Sequence, residues 1–267
     1  MDYGLSEWLN LIVRWIHVFA AILWVGTTYY FTWLDGQLRR AANQKDGGVW
    51  MVHSGGFYTV QKQSTLGVAP GEVRWFRWEA MTTWLSGLAL LALVFYAGGL
   101  TVDPAAGRVP ESTAIAIGIG SLIVGWIAYD LLASSPLARK EMLFGVVAFT
   151  GVVAVSLVLR QFLSTRATYI HVGALFGTIM ALNVWMRILP PQRRMIAAAA
   201  SGDTIDPSLG AGAKHRSTHN TFMAVPTAFI MISSHFPTAT YGHRHGLAIL
   251  AALILLGWLA ASVLRRA

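Results

Sequence analysis

Eight histidines are the residues of this sequence best suited to chemistry, because imidazole titrates near neutral pH and binds metals and haem iron. His17 lies inside the apolar run from Trp15 to Trp24. An ionisable residue in such a run is costly in a membrane and usually marks a functional site. His171 lies in a second apolar run, between Thr168 and Leu189. The sequence therefore places imidazoles within two separate apolar segments.

A b-type haem with two histidine ligands needs imidazoles from different helices at comparable depth, because the iron lies between them. His17 and His171 satisfy this requirement in the sequence, with His235 as a reserve ligand. Trp24 shares the helix stripe of His17, two turns away, and is expected to contact the cofactor. The pattern predicts one or two haem b groups, with His17 and His171 as ligands of the haem iron.

Two alternatives to haem stay open. A histidine can do no more than hydrogen-bond a neighbouring helix, and histidines also suit a mononuclear copper or zinc site. The chain has no cysteine, which excludes disulfides, thiolate metal sites, iron–sulfur clusters and thioether-linked haem.

A second group of residues that could take part in chemistry lies between the apolar runs. It includes His53 and His219. Paired glycines such as Gly55 and Gly56 let a backbone turn sharply or approach a ligand, and an amide beside an ammonium suits an anionic, carbonyl-rich substrate. The set predicts a functional pocket or, equally, an interfacial belt of aromatic and basic side chains. The predicted catalytic residues are His53, His219 and Glu79, and the predicted substrate-binding residues are Phe57, Tyr58, Gln61, Lys62, Trp78 and Asn220.

Membrane-spanning helices must position these residues. The chain has 267 residues, of which 55% are hydrophobic and 12% charged, about half the charged fraction of a soluble domain. A helix needs about 20 mainly apolar residues to cross the hydrocarbon core. The sequence therefore predicts an all-α integral membrane protein, one domain over residues 1–267 with about seven transmembrane helices. The predicted spans are 8–33, 79–100, 112–133, 142–159, 168–189, 219–236 and 246–264.

The basic residues predict how these helices are oriented. With the N-terminus outside, fifteen of the twenty lysines and arginines fall on the inner side and five on the outer side. Because basic residues favour the cytoplasmic side, we expect the N-terminus outside and the C-terminus in the cytoplasm. The net charge of +8 lies in the gaps between apolar runs, which indicates membrane topology and excludes nucleic acid as a partner.

Three acidic residues lie near the inner ends of the predicted helices. An exposed capping role is favoured for Asp35, whereas Glu79 and Asp130 are candidates for ion pairs. Their candidate partners are Arg77, Lys62 and Arg139.

Several motifs occur in order along nearly the whole chain. They are Arg14-Trp-Ile-His-Val-Phe-Ala-Ala-Ile-Leu-Trp-Val-Gly26, Val52-His-Ser-Gly-Gly-Phe-Tyr58 with Gln61-Lys62, Trp75-Phe-Arg-Trp-Glu79, Thr83-Trp-Leu-Ser-Gly87, Tyr129-Asp-Leu-Leu132, Tyr169-Ile-His-Val-Gly-Ala174, Arg216-Ser-Thr-His-Asn220 and Tyr241-Gly-His243. Together they resemble the bacterial membrane-bound urate oxidase (urate hydroxylase) family. The first motif also resembles a wider group of haem-b membrane proteins that includes a bacterial protoporphyrinogen oxidase.

The resemblance implies a multi-pass oxidoreductase of the bacterial inner membrane that oxidises urate, or a similar small molecule, in purine catabolism. It also implies that the electrons leave through a c-type cytochrome, which in that family is commonly fused after an eighth helix. This sequence ends after its seventh predicted helix and has no cysteine, so we expect a separate cytochrome c or quinone as the electron acceptor. Urate would bind among the inner residues, and haem b on His17 and His171 would pass electrons outward.

Two other functions stay open. A non-catalytic haem-b subunit that anchors a soluble dehydrogenase and relays its electrons to quinone would contain haem without turning over urate. A transporter of copper or another metal would also need histidines within the bilayer.

Overall fold

Helices account for nearly all of the chain that the computed structural model describes, which is residues 3–41, 47–63, 73, 75–103 and 109–266. Two π-helical segments continue the regular helices, Leu91–Tyr96 after α2 and Asn183–Ile188 between α5 and α6, and a 3-10 turn, Pro136–Arg139, precedes α4. The helices are α1 Tyr3–Ala41, α2 Trp78–Leu90, α3 Glu111–Ser134, α4 Glu141–Phe162, α5 Thr165–Leu182, α6 Leu189–Ser201, α7 Pro207–Ser233 and α8 Gly246–Leu264.

Six helical stretches within the described residues are long and apolar enough to cross a membrane. This confirms the prediction of an all-α, multi-pass membrane protein. The helix α7 is not among the six. It contains the predicted span 219–236 and carries several polar residues. The six stretches are Gly4–Ala41, Trp78–Tyr96, Glu111–Ser134, Glu141–Phe162, Thr165–Ser201 and Gly246–Leu264.

The bundle is centred on α5, and α1 lies at its edge. Along α5, residues such as Tyr169 and Val172 are buried against α2, α3, α4 and α7. The helix α1 packs mainly on α2 and leaves large apolar side chains such as Trp15 exposed. In a bilayer such faces contact lipid, which is as apolar as they are.

The inner ends of α1 and α8 meet, which defines the two faces of the bundle. A guanidinium nitrogen of Arg40 donates a hydrogen bond of 2.9 Å to the carbonyl oxygen of Arg266. The start of α1 and the end of α8 therefore lie on opposite faces. We call the face with Arg40 and Arg266 the inner face; the basic residues predict that it is cytoplasmic.

A β-hairpin follows α1 where the sequence predicted a loop. The strands β1, Gly48–His53, and β2, Gly56–Gln61, are antiparallel. Ser54 and Gly55 form the turn with φ angles of 49° and 77°, as a two-residue hairpin turn of the type favoured by strand twist requires. Of the paired glycines, Gly55 therefore serves a sharp turn and Gly56 begins β2.

A helix also occupies much of the predicted loop between the spans 168–189 and 219–236. Pro190 and Pro191 lie in the first turn of α6, where proline is tolerated, and Ala197–Ala200 are strong helix formers. Gly202, with a φ of 75°, ends α6 in the left-handed conformation. Asp206 then caps α7 by accepting a hydrogen bond from the Ser208 amide.

The orientation was predicted by counting lysines and arginines on each side of the membrane. Three of those residues, Lys45, Arg74 and Arg108, lie outside the described residues.

The contact between α7 and α8 depends on a glycine. A Cβ atom built on Gly257 of α8 would lie 2.8 Å from the backbone nitrogen of Pro226 in α7. Proline leaves the carbonyls of the preceding turn without their usual donor, and neighbouring helices compensate for this in membranes. Gly257 thus allows α8 to pack closely against the interrupted turn of α7.

We expect Gly257→Ala to lower the thermal unfolding midpoint of the protein in detergent, because overpacking against backbone costs about 1–3 kcal/mol. The matched control is Gly120→Ala on α3, where an added Cβ meets nothing within 4 Å. The control should keep or raise the midpoint, since alanine is the better helix former. Equal midpoints for the two variants would contradict the packing described for Gly257.

Candidate functional site

A buried hydrogen-bond network joins α3, α5 and α7 near the inner face. Its centre is Asn183, which is fully buried at the start of the second π-helical segment. The Asn183 amide nitrogen donates to the Tyr129 hydroxyl oxygen and to the Asn220 amide oxygen, both at 2.9 Å. Asn220 donates in turn to the carbonyl oxygen of Met180, also at 2.9 Å. Such π-helical segments free backbone groups and are common at functional sites.

An ion-pair triad extends this network towards the inner face. The Asp130 carboxylate lies 3.0 Å from Arg216 and accepts a hydrogen bond of 2.8 Å from Nε of Arg187. Arg216 also donates to Ser134 Oγ at 2.8 Å and contacts the ring of Tyr129. The side chain of Arg216 is 7% exposed, whereas that of Arg187 is 45% exposed. Two cations share one carboxylate, so the triad carries one excess positive charge.

His219 is held by the same network on its other side. Its Nδ1 lies 2.8 Å from the Tyr129 hydroxyl oxygen. Because that oxygen already accepts from Asn183, the Tyr129 proton is available for Nδ1 of His219. The His219 ring stacks on Phe144 with a centroid distance of 4.5 Å, and the His215 ring lies edge-on at 4.3 Å.

His215 lies before the predicted membrane part of α7 and one turn from His219. Its Nε2 is buried and has no hydrogen-bond partner among the described residues. Burial, and then the positive charge of Arg216, lower the pKa of His215, while Glu141 raises it. His215 is therefore expected to be neutral near pH 7 and able to accept a proton.

His17, the first predicted haem ligand, packs against α2. Its Nδ1 lies 2.9 Å from the carbonyl oxygen of Thr83 and 3.2 Å from Ser86 Oγ. A Cβ on Gly87 would come within 3.0 Å of the His17 ring, so this contact depends on glycine. An imidazole that donates Nδ1–H to a carbonyl presents Nε2 as a metal ligand. The Nδ1 contacts therefore leave Nε2 as the ring nitrogen of His17 that could bind a metal.

His171, the second predicted ligand, is engaged at both ring nitrogens. Its Nδ1 lies 2.7 Å from the carbonyl oxygen of Ala167, and its Nε2 lies 3.0 Å from the Tyr96 hydroxyl. The ring is fully buried, and a Cβ on Gly118 would fall 2.5 Å from Nε2. This packing leaves no space for a macrocycle at His171, so His171 fits haem only if Tyr96 and α3 move away.

The structure does not bring His17 and His171 together. His17 contacts Thr83 and Ser86 of α2, whereas His171 contacts Tyr96, which ends the π-helical segment after α2. No hydrogen bond or ring contact joins the two histidines within the described residues. The pairing of these two imidazoles on one haem therefore stays a prediction.

The remaining outer residues lie apart from His171. Trp24 is buried in the core beside α2, as expected for a residue on the His17 stripe. His235 is exposed in the turn that follows α7. The described residues contain no group of three or more histidine, aspartate or glutamate side chains that could hold a metal ion.

The residues predicted to be catalytic or substrate-binding lie in three separate places in the structure. One group, with Trp78 and Glu79, begins α2, and a second, His219 and Asn220, belongs to the buried network. Within the described residues no hydrogen bond or ring contact joins His53 to His219. The third group lies on the hairpin or just after it: His53, Phe57, Tyr58, Gln61 and Lys62.

The start of α2 forms an aromatic cage around a cation. The Arg77 guanidinium lies 5.5 to 5.9 Å from the ring centroids of Trp75, Trp78 and Trp185. This geometry is typical of cation–π contacts. One carboxylate oxygen of Glu79 is buried without a hydrogen-bond partner among the described residues.

Two expectations for the acidic residues need correction. Asp35 is not an exposed cap: it binds Lys62 from the end of the hairpin and Lys214 from α7. Asp130 pairs with Arg187 and Arg216, and not with any of the three partners predicted. The correct partners lie on helices that pack on α3, which sequence proximity did not reveal.

The residues that hold His219 and Asn220 in place were not predicted from the sequence as site residues. Asn183 lies inside a predicted span, and the rule that singled out His17 applies equally to a buried amide. Tyr129, Asp130 and Arg216 belong to quoted motifs but were not assigned functions. The signal was therefore present in the sequence.

We expect Asp130→Asn to cost about 3–5 kcal/mol, because it leaves the buried Arg216 cation without its counter-ion. The control, Asp35→Asn, removes a more exposed carboxylate from two lysines and should cost at most about 1 kcal/mol. Unfolding in detergent, followed by tryptophan fluorescence, measures both variants. Similar small shifts would show that the triad contributes little to stability.

Comparison with known proteins shows the family to which the chain belongs. A family model described as urate oxidase N-terminal matches residues 4–266. No curated protein and no solved structure matches the chain. The match covers almost the entire sequence and includes every residue of the buried network. The chain belongs to the urate oxidase N-terminal family.

Proposed function

We propose that this protein is a membrane oxidoreductase that oxidises urate at the buried network near the inner face. The observation that carries the proposal is the excess positive charge of the triad of Arg216, Asp130 and Arg187 beside two amides, a phenol and an imidazole. The Arg216 side chain is 7% exposed, and an arginine buried in a membrane protein is costly and usually serves function. Arg187 leaves the excess positive charge half exposed, where an anionic ligand would neutralise it.

The donors and acceptors of the network suit a planar, carbonyl-rich anion. Arg216 supplies a planar fork of N–H donors, and Asn183, which bonds both Arg216 and Asn220, helps to hold that fork in place. His219 and Phe144 stack on each other, so a purine ring would stack on an outer face of this pair. The half-exposed Arg187 marks the side from which such a ligand would enter.

The proposed reaction removes two electrons from urate. Urate and one water give a hydroxylated purine, two protons and two electrons. We assign Nδ1 of His219 as the proton acceptor: it takes the Tyr129 hydroxyl proton while that hydroxyl oxygen takes a proton from the reacting molecules. His215, one turn nearer the inner surface, is suited to pass protons to water because its pKa is lowered by burial and by Arg216.

The two electrons must leave through a group that this chain binds or meets. We propose His17 as a ligand of haem b, supported by the carbonyl bond that orients its ring. When bound, haem b supplies one-electron transfer. A separate cytochrome c or quinone in the bacterial inner membrane is the proposed acceptor.

We expect His219→Ala to slow urate consumption by about 100-fold or more, because positioned acid–base groups typically contribute that much. Membranes containing the protein, supplied with an electron acceptor, would be assayed for loss of urate absorbance. His53→Ala, on the exposed hairpin, is the matched control and should keep most of the activity. Loss of activity in His53→Ala alone would move the proton acceptor to the hairpin.

We expect His17→Ala to abolish the Soret absorbance of protein produced with supplied haem, while His245→Ala on the exposed outer turn retains it. A Soret band that survives His17→Ala would contradict the ligand assignment. Protein that contains haem but does not turn over urate, and that co-purifies with a soluble dehydrogenase, would favour the electron-transfer subunit instead.

A further inference from the structure

A basic cleft opens at the inner face between the ends of α1 and α8. Its volume is about 270 Å³, and four arginines line it together with Trp33 and Gly36. The arginines are Arg39 and Arg40 of α1, and Arg265 and Arg266 at the end of α8. This cleft is separate from the buried network, and the proposed urate chemistry does not use it.

The arginines are held close together by specific contacts. Arg40 donates to the carbonyl oxygen of Arg266, which joins the two helices. The Arg265 guanidinium lies over the Phe222 ring, with its carbon 5.5 Å from the centroid. Burial, and then repulsion by Arg39, lower the pKa of Arg265, while Tyr29, Glu141 and Asp35 raise it. The cleft thus holds four guanidinium groups close together, and a bound anion would offset their mutual repulsion.

The cleft has little negative charge of its own. No carboxylate lines it within the described residues. The nearest aspartate, Asp35, lies 3.7 Å from Arg39 but is already bound to Lys62 and Lys214. Guanidinium groups bind phosphate oxygens in a bidentate manner, so a phosphate group is the chemistry best matched to the cleft.

The surroundings of the cleft favour a lipid as the source of that phosphate. The cleft lies at the inner ends of two membrane-crossing helices, at the level expected for headgroups. Apolar side chains on both helices are exposed next to it, among them Phe31 on α1 and Leu259 and Val263 on α8. Acyl chains could lie along these surfaces while the phosphate remains among the arginines. Basic pockets between transmembrane helices on the cytoplasmic side bind acidic headgroups in this manner.

We propose that the arginine cleft between α1 and α8 binds the phosphate group of an anionic phospholipid of the inner leaflet. Lipid binding there would fasten the end of α1, which otherwise packs mainly on α2, to the end of α8. The site would stabilise the bundle in membranes rich in anionic lipid.

The test uses the full chain, delipidated in neutral detergent, with native mass spectrometry and thermal unfolding as readouts. We expect one phosphatidylglycerol per chain to be retained and to raise the unfolding midpoint, with phosphatidylcholine bound at least tenfold more weakly. Arg265→Gln/Arg266→Gln should weaken phosphatidylglycerol binding about tenfold. The matched control, Arg193→Gln/Arg194→Gln on the exposed side of α6, should leave it unchanged. If the double variant does not fold, Arg266→Gln alone takes its place.

Three results would overturn the proposal. Equal retention of the two lipids would mean that the cleft does not select an anionic headgroup. Equal weakening by the α6 variant would show that overall charge, and not the cleft, attracts the lipid. Inorganic phosphate or urate that displaces phosphatidylglycerol at equal concentration would assign the cleft to a soluble anion.

Discussion

Satisfying polar groups below the lipid surface is the constraint on which this structure depends. No water is available in the hydrocarbon to bond an amide, so Asn183 must find every partner inside the protein. It does so by joining Tyr129 of α3 to Asn220 of α7, and the same contacts orient His219. The helix α7, which carries several polar residues, can therefore lie within the bundle because polar side chains such as Asn220 face protein. Packing, electrostatics and the proposed chemistry share these few hydrogen bonds.

The histidines are divided between two kinds of environment, and this division shapes the functional proposal. His171 is a closed structural contact, whereas His17 is oriented from one side only. His215 and His219 lie together near the charged triad. The proposed urate site at His219 and the proposed haem ligand His17 lie on different helices, so in this proposal electrons and protons leave by different routes.

Much of the fold could be predicted from the sequence, because long apolar runs have few alternatives to membrane-spanning helices. The hairpin and α6 could not be predicted, because neither forms a long apolar segment. The short strands of the hairpin and the alanine-rich stretch of α6 were both interpreted as loop. Of the residues in the proposed site, the sequence predicted His219 and Asn220 but not their hydrogen-bond partners. Such partners depend on which helices pack together and on the rotation of each helix, and neither can be read from a single sequence.

The π-helical segment that begins at Asn183 has a consequence for how such a site can arise. A π turn accommodates one residue more than a regular turn, and single-residue insertion is the simplest way to produce it. In a regular helix an added residue would rotate everything beyond it by about 100° around the axis, whereas the wider π turn absorbs that residue locally. Arg187 lies within this segment and donates a hydrogen bond to Asp130. A small change of chain length, with no rearrangement of the bundle, is enough to bring a charged group into register with a buried carboxylate.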